Sequence, residues 1–526
     1  MNDHTFDVAV IGAGPVGCVC ALAHAQRGKR VLLLEGNPRA CHRLAGEWLH
    51  PPAVEILKSV GAEDVVSARY PHGQGFVVHP DDGSEPIALP YMAGSRGFSV
   101  EHSILVTRLR TLCVNHDRIA YREPARVTRI EGQELIYQLK GKGSRRVHAD
   151  LIVGAAGRSS VAHQALGLEH KASTYSRMAG LLVKDSTLPI EGYGHVFLGG
   201  PGPVLAYRID DDTIRLCVDV PLTMPTNRDK EAQIWEAFRP ALPEQLHRGL
   251  VDALHEGPIA WAANQTRPRV SFGREGLVLV GDAAGHHHPL TALGMTLGFQ
   301  DAVALAESKS FTAFKERRLR ESRVPEMLAV ALYEVFADTT DEVIAIRKAV
   351  YDMWRQDDRE RMRTMSYLAC QDTSPRRFGG SFVRAVRVAA KNLLSHSMTS
   401  GQWRHTAKVT AILADRCRWL LSGALRFTDA RPYAESAFDF YGAALNVSQP
   451  QAEVFEHPAA ARAAAQRAAS PDRPHLALEK AVGHLKTLQR DDGGWEGETV
   501  WNAMLPAQYV MMSHVTGNEL LSLIHI

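Results

Sequence analysis

The N-terminal segment DVAVIGAGPVG, Asp7 to Gly17, constrains the fold of this chain more than any other stretch. An apolar run opens directly into Gly12-x-Gly14-x-x-Gly17, a helix-like run follows, and a second apolar strand, RVLLLE, ends at Glu35. That order describes a strand–turn–helix–strand unit, the opening of a Rossmann-like α/β domain. Glycine is needed at the first two positions for the tight turn and for close approach of the backbone to a pyrophosphate. The third glycine lets helix and strand pack, and Glu35 stands where a carboxylate accepts hydrogen bonds from an adenosine ribose. An isolated GxGxxG is a weak signal; in this context, with its acid at the expected distance, it reads as a dinucleotide site.

A later segment says which dinucleotide. GLVLVGDAAGHHHPLTALGMTLGFQDA, Gly276 to Ala302, is another apolar strand that ends in Asp282, passes a Pro-Leu-Thr turn and opens a helix at Gly294 and Met295. An Asp at a strand end can hold a ribityl chain, and a helix N-terminus turns free N–H groups towards a flavin ring or pyrophosphate. The pair of segments is similar to the two halves of the single-component flavoprotein monooxygenases and points to FAD. His286, His287 and His288 offer no metal site: consecutive histidines point in different directions, and no carboxylate or cysteine is spaced to complete one.

At 526 residues the chain has room for two or three domains, and a net charge of +2 gives no field for nucleic acid. The basic clusters KERRLRESR (Lys315 to Arg323) and RQDDRERMR (Arg355 to Arg363) read as solvated helix faces, with membrane-surface contact as the lesser reading. Seven scattered cysteines without a CxxC suit a reducing compartment. The N-terminus passes straight into the first strand, and no apolar run approaches the roughly 20 residues that span a bilayer. The expectation is a cytoplasmic protein with peripheral membrane contact at most.

The flavin domain is expected to be discontinuous, from residues 1–75, 96–165 and 275–310, the last two including DLIVGAAG (Asp150 to Gly157) and the Asp282 strand. Residues 76–95 and 166–274 should form an antiparallel sheet under the substrate; GFVVHP (Gly75 to Pro80) and TIRLCVDV (Thr213 to Val220) alternate as its strands. Residues 311–445 read as helical. Within them Ser381 to Phe427 alternates apolar and basic residues, and two readings stand: helices lying on a membrane, or helices packed on the flavin domain. An Ala- and Pro-rich stretch at 446–475 reads as a linker, and 476–520 as a short all-α stub.

Finer motifs identify a family. HPLTALGMT, AGEWLHPPAVEILKSVG (Ala45 to Gly61, with Arg43 just upstream) and ALYEVFADTTDEVIAIRKAVYDMW (Ala331 to Trp354) resemble, in order and spacing, three signatures of the squalene monooxygenases, also called squalene epoxidases. The resemblance spans roughly the first 440 residues. In the stub, LKTLQRDDGGWEGE resembles one repeat of the squalene–hopene and oxidosqualene cyclases, without their acidic protonating motif; about forty residues cannot bury a cyclase core, since repeat folds need at least three units. The last six residues, LSLIHI (521–526), look like translated sequencing adapter, so the natural chain is expected to run on into a fused terpenoid cyclase.

The resemblance implies an FAD-dependent monooxygenase that epoxidises a terminal alkene of squalene or another polyprenyl chain through a flavin C4a-hydroperoxide. An isolated alkene is nucleophilic enough to need no side-chain base, so no catalytic constellation is expected. It also implies FAD contacts at Glu35, Arg43, Arg108, Asp282 and Met295, with Arg110 competing for the role of Arg108. Family members dock on membranes through the helical region. Three departures stand out: Ala156 where the family has Asp, which leaves NADPH use direct or through a flavin or ferredoxin reductase; Phe76 and His50 where it has Tyr and Gln, a changed substrate-side polar pair; and Ala292 and Leu293 in place of two glycines. Trp48 and Phe76 are candidates to line an isoprenoid cavity. The rival readings are an aromatic or quinone-ring hydroxylase, with His50 orienting a phenol, and an inactive flavin-bound partner of a cyclase.

Overall fold

The computed structural model describes residues 5–400, apart from 67–71, 140, 142, 159–160, 169–172 and 225–229, together with residue 410. The chain divides into two units, Met1–Ser448 and Gln449–Ile526. The second unit, with the expected linker, cyclase-like repeat and terminal hexapeptide, lies outside the described residues, as does most of the basic segment beyond Ser400.

The first sheet is built on the N-terminal unit. Strand Thr5–Ile11 lies between Val31–Leu34 and the end of Gly143–Gly154; Leu277–Leu279 and Ile119–Arg122 extend it on either side, all of these parallel. These strands are near-continuous apolar runs because helices cover the sheet. Helix Pro15–Gln26 is buried over almost its whole length, packed at Val16 against Gly281 and Gly298. A Cβ on Gly17 would sit 1.8 Å from the Gly12 carbonyl oxygen, so the motif's third glycine is a packing requirement. Ala125–Glu131 and Glu134–Leu139 form a meander off this sheet.

The second sheet has seven strands in the order Ala260–Thr266, Ser173–Lys184, Thr213–Pro221, Val204–Arg208, Gly194–Phe197, Gly75–His79 and Ile87–Pro90, antiparallel except for the pair Gly194–Phe197 with Gly75–His79. The two-residue period sorts its side chains. Ile214, Leu216 and Val218 face helices Lys230–Phe238 and Glu244–Glu256, whereas Cys217 on the other face joins the cluster of Trp48, Phe76 and Leu290. Arg215 and Asp219 share the parity of Cys217, which places two charged side chains on the site-facing side. One boundary differs from the sequence reading: Gly273–Arg274, expected in the second sheet, pairs with Leu277–Leu279 in the first.

Helices Phe311–Ala337, Asp341–Gln356, Asp358–Leu368 and Pro375–Ser400 follow. The last packs Ala389 and Leu393 on Ala349 of the second and leaves Arg376, Arg377, Val383, Arg384, Arg387 and Lys391 exposed. No helix among the described residues is long and apolar enough to cross a membrane. Six described cysteines are buried free thiols.

Candidate cofactor and substrate site

The dinucleotide loop is shaped by contacts that only glycine permits. Gly12 has φ +102°, and a Cβ there would lie 2.8 Å from the Ala156 Cα. Gly14 caps helix Pro15–Gln26 with no side-chain hydrogen bond and has open space where its Cβ would be. The helix therefore offers its first N–H groups to an approaching anion. Glu35 is 8% exposed; Oε2 accepts from the Ala13 N–H (2.9 Å) and Oε1 from the Asn37 N–H (2.7 Å), which fixes the carboxylate at the loop's edge. A cleft of about 450 Å³ opens beside Gly36, Pro124 and Arg126.

The candidate arginines point to different places. Arg108 turns away and donates to the Asp64 carbonyl (2.9 Å). Arg110 reaches the dinucleotide loop, with Nε on the Ala13 carbonyl (2.9 Å), Nη1 on the Pro38 carbonyl (3.0 Å) and Nη2 on Glu35 (3.1 Å). Arg43 lies next to the Gly157 turn, its Nη2 4.0 Å from where a Cβ on that glycine would be.

The opposite side is the return strand and its helix. Asp282 is half exposed, 3.7 Å from Arg158 Nε, and its Oδ1 is 3.7 Å from the Cβ position of Gly294. Its loop is pinned from beneath by residues the sequence reading missed. Arg269 donates to the Gly281 (3.0 Å) and Gly285 (3.3 Å) carbonyls, and Asp301 accepts from the Gly281 N–H (2.8 Å) while pairing with Arg269 and Arg318. Ala292 holds φ +52°, ψ 23°, the left-handed conformation suited to the glycine it replaces, and starts helix Leu293–Glu307 without a side-chain cap. Met295 packs against Gly46, whose Cβ would lie 3.2 Å from its Cε.

These features fit FAD. Two helix starts with uncapped N–H groups, a glycine loop where a Cβ would fill the approach, and a fixed Glu35 match its pyrophosphate and ribose. The hydroxyls of Thr291 and Thr296 are buried beside the second helix start with no partner among the described residues, as expected where a ligand with many hydrogen-bonding atoms belongs.

The substrate side is the reverse. His50 is completely buried, and both ring nitrogens are engaged: Tyr91 O–H donates to Nδ1 (2.7 Å), and Nε2–H donates to the Thr291 carbonyl (2.9 Å). Trp48 Nε1–H donates to the Tyr91 oxygen (2.9 Å). Burial lowers the His50 pKa to about 4, against which the Thr291 carbonyl pulls weakly. Phe76 meets Trp48 in a tilted contact, ring centroids 4.8 Å apart and planes at 51°, and lies 6.0 Å from His50. The structure thus brings Trp48, His50 and Phe76 together and adds Tyr91, whose hydroxyl supplies the polar partner Phe76 lacks. This strip is tied to the sheet by Glu47, which takes Arg215 through both oxygens at 2.8 Å each and accepts from Tyr207 (3.1 Å). The histidine run points three ways: His286 lies by the Asp282 loop, His287 is 3.4 Å from Glu326, and His288 is 3.3 Å from Asp219.

Comparison with known proteins agrees with this geometry. The family described as squalene epoxidase matches residues 148–400, and that of FAD dependent oxidoreductases matches residues 7–68. The mouse squalene monooxygenase is 27% identical over 373 residues, covering 66% of this chain and 64% of that protein, so the match leaves over a third of the relative's length unspanned. Squalene epoxidase erg1 of Aspergillus fumigatus is 28% identical over 379 residues, covering 66% of this chain and 78% of that one. Among solved structures, the p-nitrophenol 4-monooxygenase PnpA of Pseudomonas putida superposes with a TM-score of 0.59 at 19% identity, covering 70% of this chain and 100% of that one. The probable FAD-dependent monooxygenase pqsL of Pseudomonas aeruginosa gives 0.55 at 17%, covering 64% and 97%. At these identities the structural matches speak for the fold.

Proposed function

We propose that this chain, which matches the squalene epoxidase family over residues 148–400, is an FAD-dependent monooxygenase that epoxidises a terminal alkene of squalene or a related polyprenyl chain. The observation that carries the reading is the closed polar network of the substrate side: His50, Tyr91 and Trp48 satisfy one another and Thr291, and their apolar faces are what remains for a ligand. A phenol hydroxylase would need a group free to orient or deprotonate the ring hydroxyl. His50 has no free nitrogen, and burial keeps it neutral down to about pH 4. An alkene asks for neither service, so the network favours epoxidation over ring hydroxylation.

FAD, when bound and reduced, supplies the oxygen-activating chemistry. The chain's own residues bind and orient. The Gly12–Gly17 loop and the start of helix Pro15–Gln26 take the pyrophosphate, Glu35 the ribose, with Arg110 holding Glu35 in place; Arg43, Asp282 and Met295 border the rest of the cofactor. The wall of Trp48, Phe76 and Leu290 excludes water and aligns a hydrocarbon by shape.

Electrons come from NADPH, directly or through a flavin or ferredoxin reductase; Ala156, exposed at the loop beside Gly12, leaves no carboxylate at that turn. The basic face of helix Pro375–Ser400 supports peripheral contact with an anionic membrane from the cytoplasmic side. A fused or downstream terpenoid cyclase is the natural consumer of an epoxidised polyprene.

The test supplies the FAD-loaded chain with NADPH and a flavin reductase, and offers squalene and a prenylated phenol in parallel. Mass spectrometry should find a terminal epoxide from squalene and an unhydroxylated ring in the phenol. Ring hydroxylation with squalene untouched would transfer the chain to the hydroxylase reading. Flavin that is reduced and reoxidised with neither product would favour the inactive partner.

A further inference from the structure

Away from the network just described, one carboxylate gathers three parts of the fold. Asp219, on strand Thr213–Pro221, is 1% exposed. Its Oδ1 accepts from the Ser176 hydroxyl on the adjacent strand, from Asn264 Nδ2 (2.8 Å) on the strand beyond it, and from His288 Nε2 (3.3 Å); its Oδ2 accepts from the Tyr333 hydroxyl (3.2 Å) on helix Phe311–Ala337. Burial alone would raise the carboxyl's pKa, but His288, Ser176 and Asn264 outweigh it and hold Asp219 below the usual range. The imidazole is held on every side. Its Nδ1 accepts from the Leu290 N–H (3.2 Å), so its Nε2 carries the proton directed at Asp219, and its face stacks on Tyr333 with centroids 3.8 Å apart.

His288 is the N-cap of the single turn Pro289–Thr291. That turn presents the Thr291 carbonyl to His50 and leads through Ala292 into the helix start at Met295. Sheet, turn and substrate wall are therefore joined by one hydrogen-bonded path: Asp219, His288, the turn, His50, Tyr91, Trp48. A buried carboxylate with four donors has little freedom, and networks of this kind set position more than they add stability.

We propose that Asp219 is a positioning residue: through His288 it fixes the height of the Pro289–Thr291 turn, and so sets the distance between the cofactor beside Met295 and the wall at His50. It touches neither cofactor nor substrate. The proposal rests on the flavin reading above, and it concerns the spacing of two ligands, not the binding of either.

The experiment compares holoenzyme variants. Asp219→Asn keeps the shape but loses acceptor capacity, and His288→Asn keeps an N-cap acceptor while losing the reach to Asp219. Asp81→Asn serves as the control: Asp81, partly exposed in the turn between Gly75–His79 and Ile87–Pro90, holds Arg347 (2.7 Å) and Tyr351 (3.2 Å) and takes no part in the path from Asp219 to Trp48, so it reports loss of a paired carboxylate alone. Three readouts are taken: the visible circular dichroism of bound flavin, its midpoint potential, and the hydrogen peroxide released per NADPH. Both site variants should keep full FAD content, shift the flavin spectrum and potential, and lower product per NADPH, with kcat falling on the order of ten- to a hundredfold at nearly constant KM. Asp81→Asn should change none of these at matched loss of melting temperature. Flavin signals and coupling in both site variants indistinguishable from the control would overturn the proposal. Should Asp219→Asn fail to fold, His288→Asn and Tyr333→Phe carry the same comparison. The spectral readouts need no epoxidation, so a shifted flavin in a chain that makes no epoxide would remove the proposed reaction and leave the positioning role standing.

Discussion

The proposed cofactor cradle and substrate wall meet at the turn Pro289–Thr291, whose Thr291 carbonyl accepts from His50, and they are built on opposite rules. In the cradle, polar groups are left open: the first helix has no side-chain cap at Gly14, and the hydroxyls of Thr291 and Thr296 have no partner among the described residues. In the wall, Trp48, Tyr91 and His50 spend every polar atom on one another and on the Thr291 carbonyl. An unsatisfied buried group costs about 1–3 kcal/mol, so it persists where a ligand answers it. A satisfied one offers a ligand only its apolar surface. The contrast reads as a site for one ligand rich in hydrogen-bonding atoms and another with almost none.

If the wall is closed by its own partners, opening it must be costly. Arg215→Met leaves Glu47 buried and unpaired, and should lower unfolding free energy by about 3–5 kcal/mol, read from denaturant midpoints. A loss below about 1 kcal/mol would mean that the strip is not anchored there. The second effect is pH-linked. Unfolded, His50 takes a proton below its usual 6.5; folded, it stays neutral to about 4. Its contribution is therefore complete above pH 6.5 and is lost as pH falls towards 4, roughly 3 kcal/mol in all. Other buried histidines lose stability in the same window, so the measurement is the difference between wild type and His50→Gln across pH 4 to 7. Superimposable curves would place His50 in contact with water.

On the cradle side, Gly17→Ala drives a Cβ into the Gly12 carbonyl, and FAD affinity should fall about a hundredfold, or about 2.7 kcal/mol, by flavin fluorescence titration. Unchanged affinity would detach the loop from the cofactor. The smallest effect separates the arginines. Arg110→Ala should weaken FAD binding about tenfold, in line with one charge-assisted contact, and Arg108→Ala should leave it within about twofold. The reverse order would restore the sequence-based assignment.

Much of the cradle was legible in the sequence because its signals are local. Three glycines, Glu35 and the Asp282 strand lie in short segments whose backbone dictates the contact. The choice between Arg108 and Arg110 was also within reach. On helix His102–Val114 the buried face runs through Leu105, Val106, Leu109 and Cys113; Arg110 follows Val106 by four residues and precedes Cys113 by three, whereas Arg108 sits beside exposed Thr107 and Thr111. The family pattern points to Arg108, whereas helical periodicity points to Arg110. His50 and Phe76 were singled out as altered positions, but the hydroxyl between His50 and Trp48 comes from Tyr91, some forty residues on, and no spacing announces it. Asp219 and His288 are 69 residues apart in different sheets or turns, and Arg269 with Asp301 meet only once the helix packs beneath the loop. Such partners depend on tertiary register, which periodicity does not encode.

The most direct test of the central claim follows the oxygen atom. The FAD-loaded chain, with NADPH, a flavin reductase and squalene, would be run under ¹⁸O-labelled dioxygen and its lipid extract examined by mass spectrometry. The account predicts a terminal epoxide carrying one labelled atom, formed by wild type and by His50→Gln alike, since no side-chain base takes part. Dioxygen and NADPH consumed while squalene returns unlabelled, or an epoxide that disappears with His50 alone while FAD content and fold are kept, would contradict it.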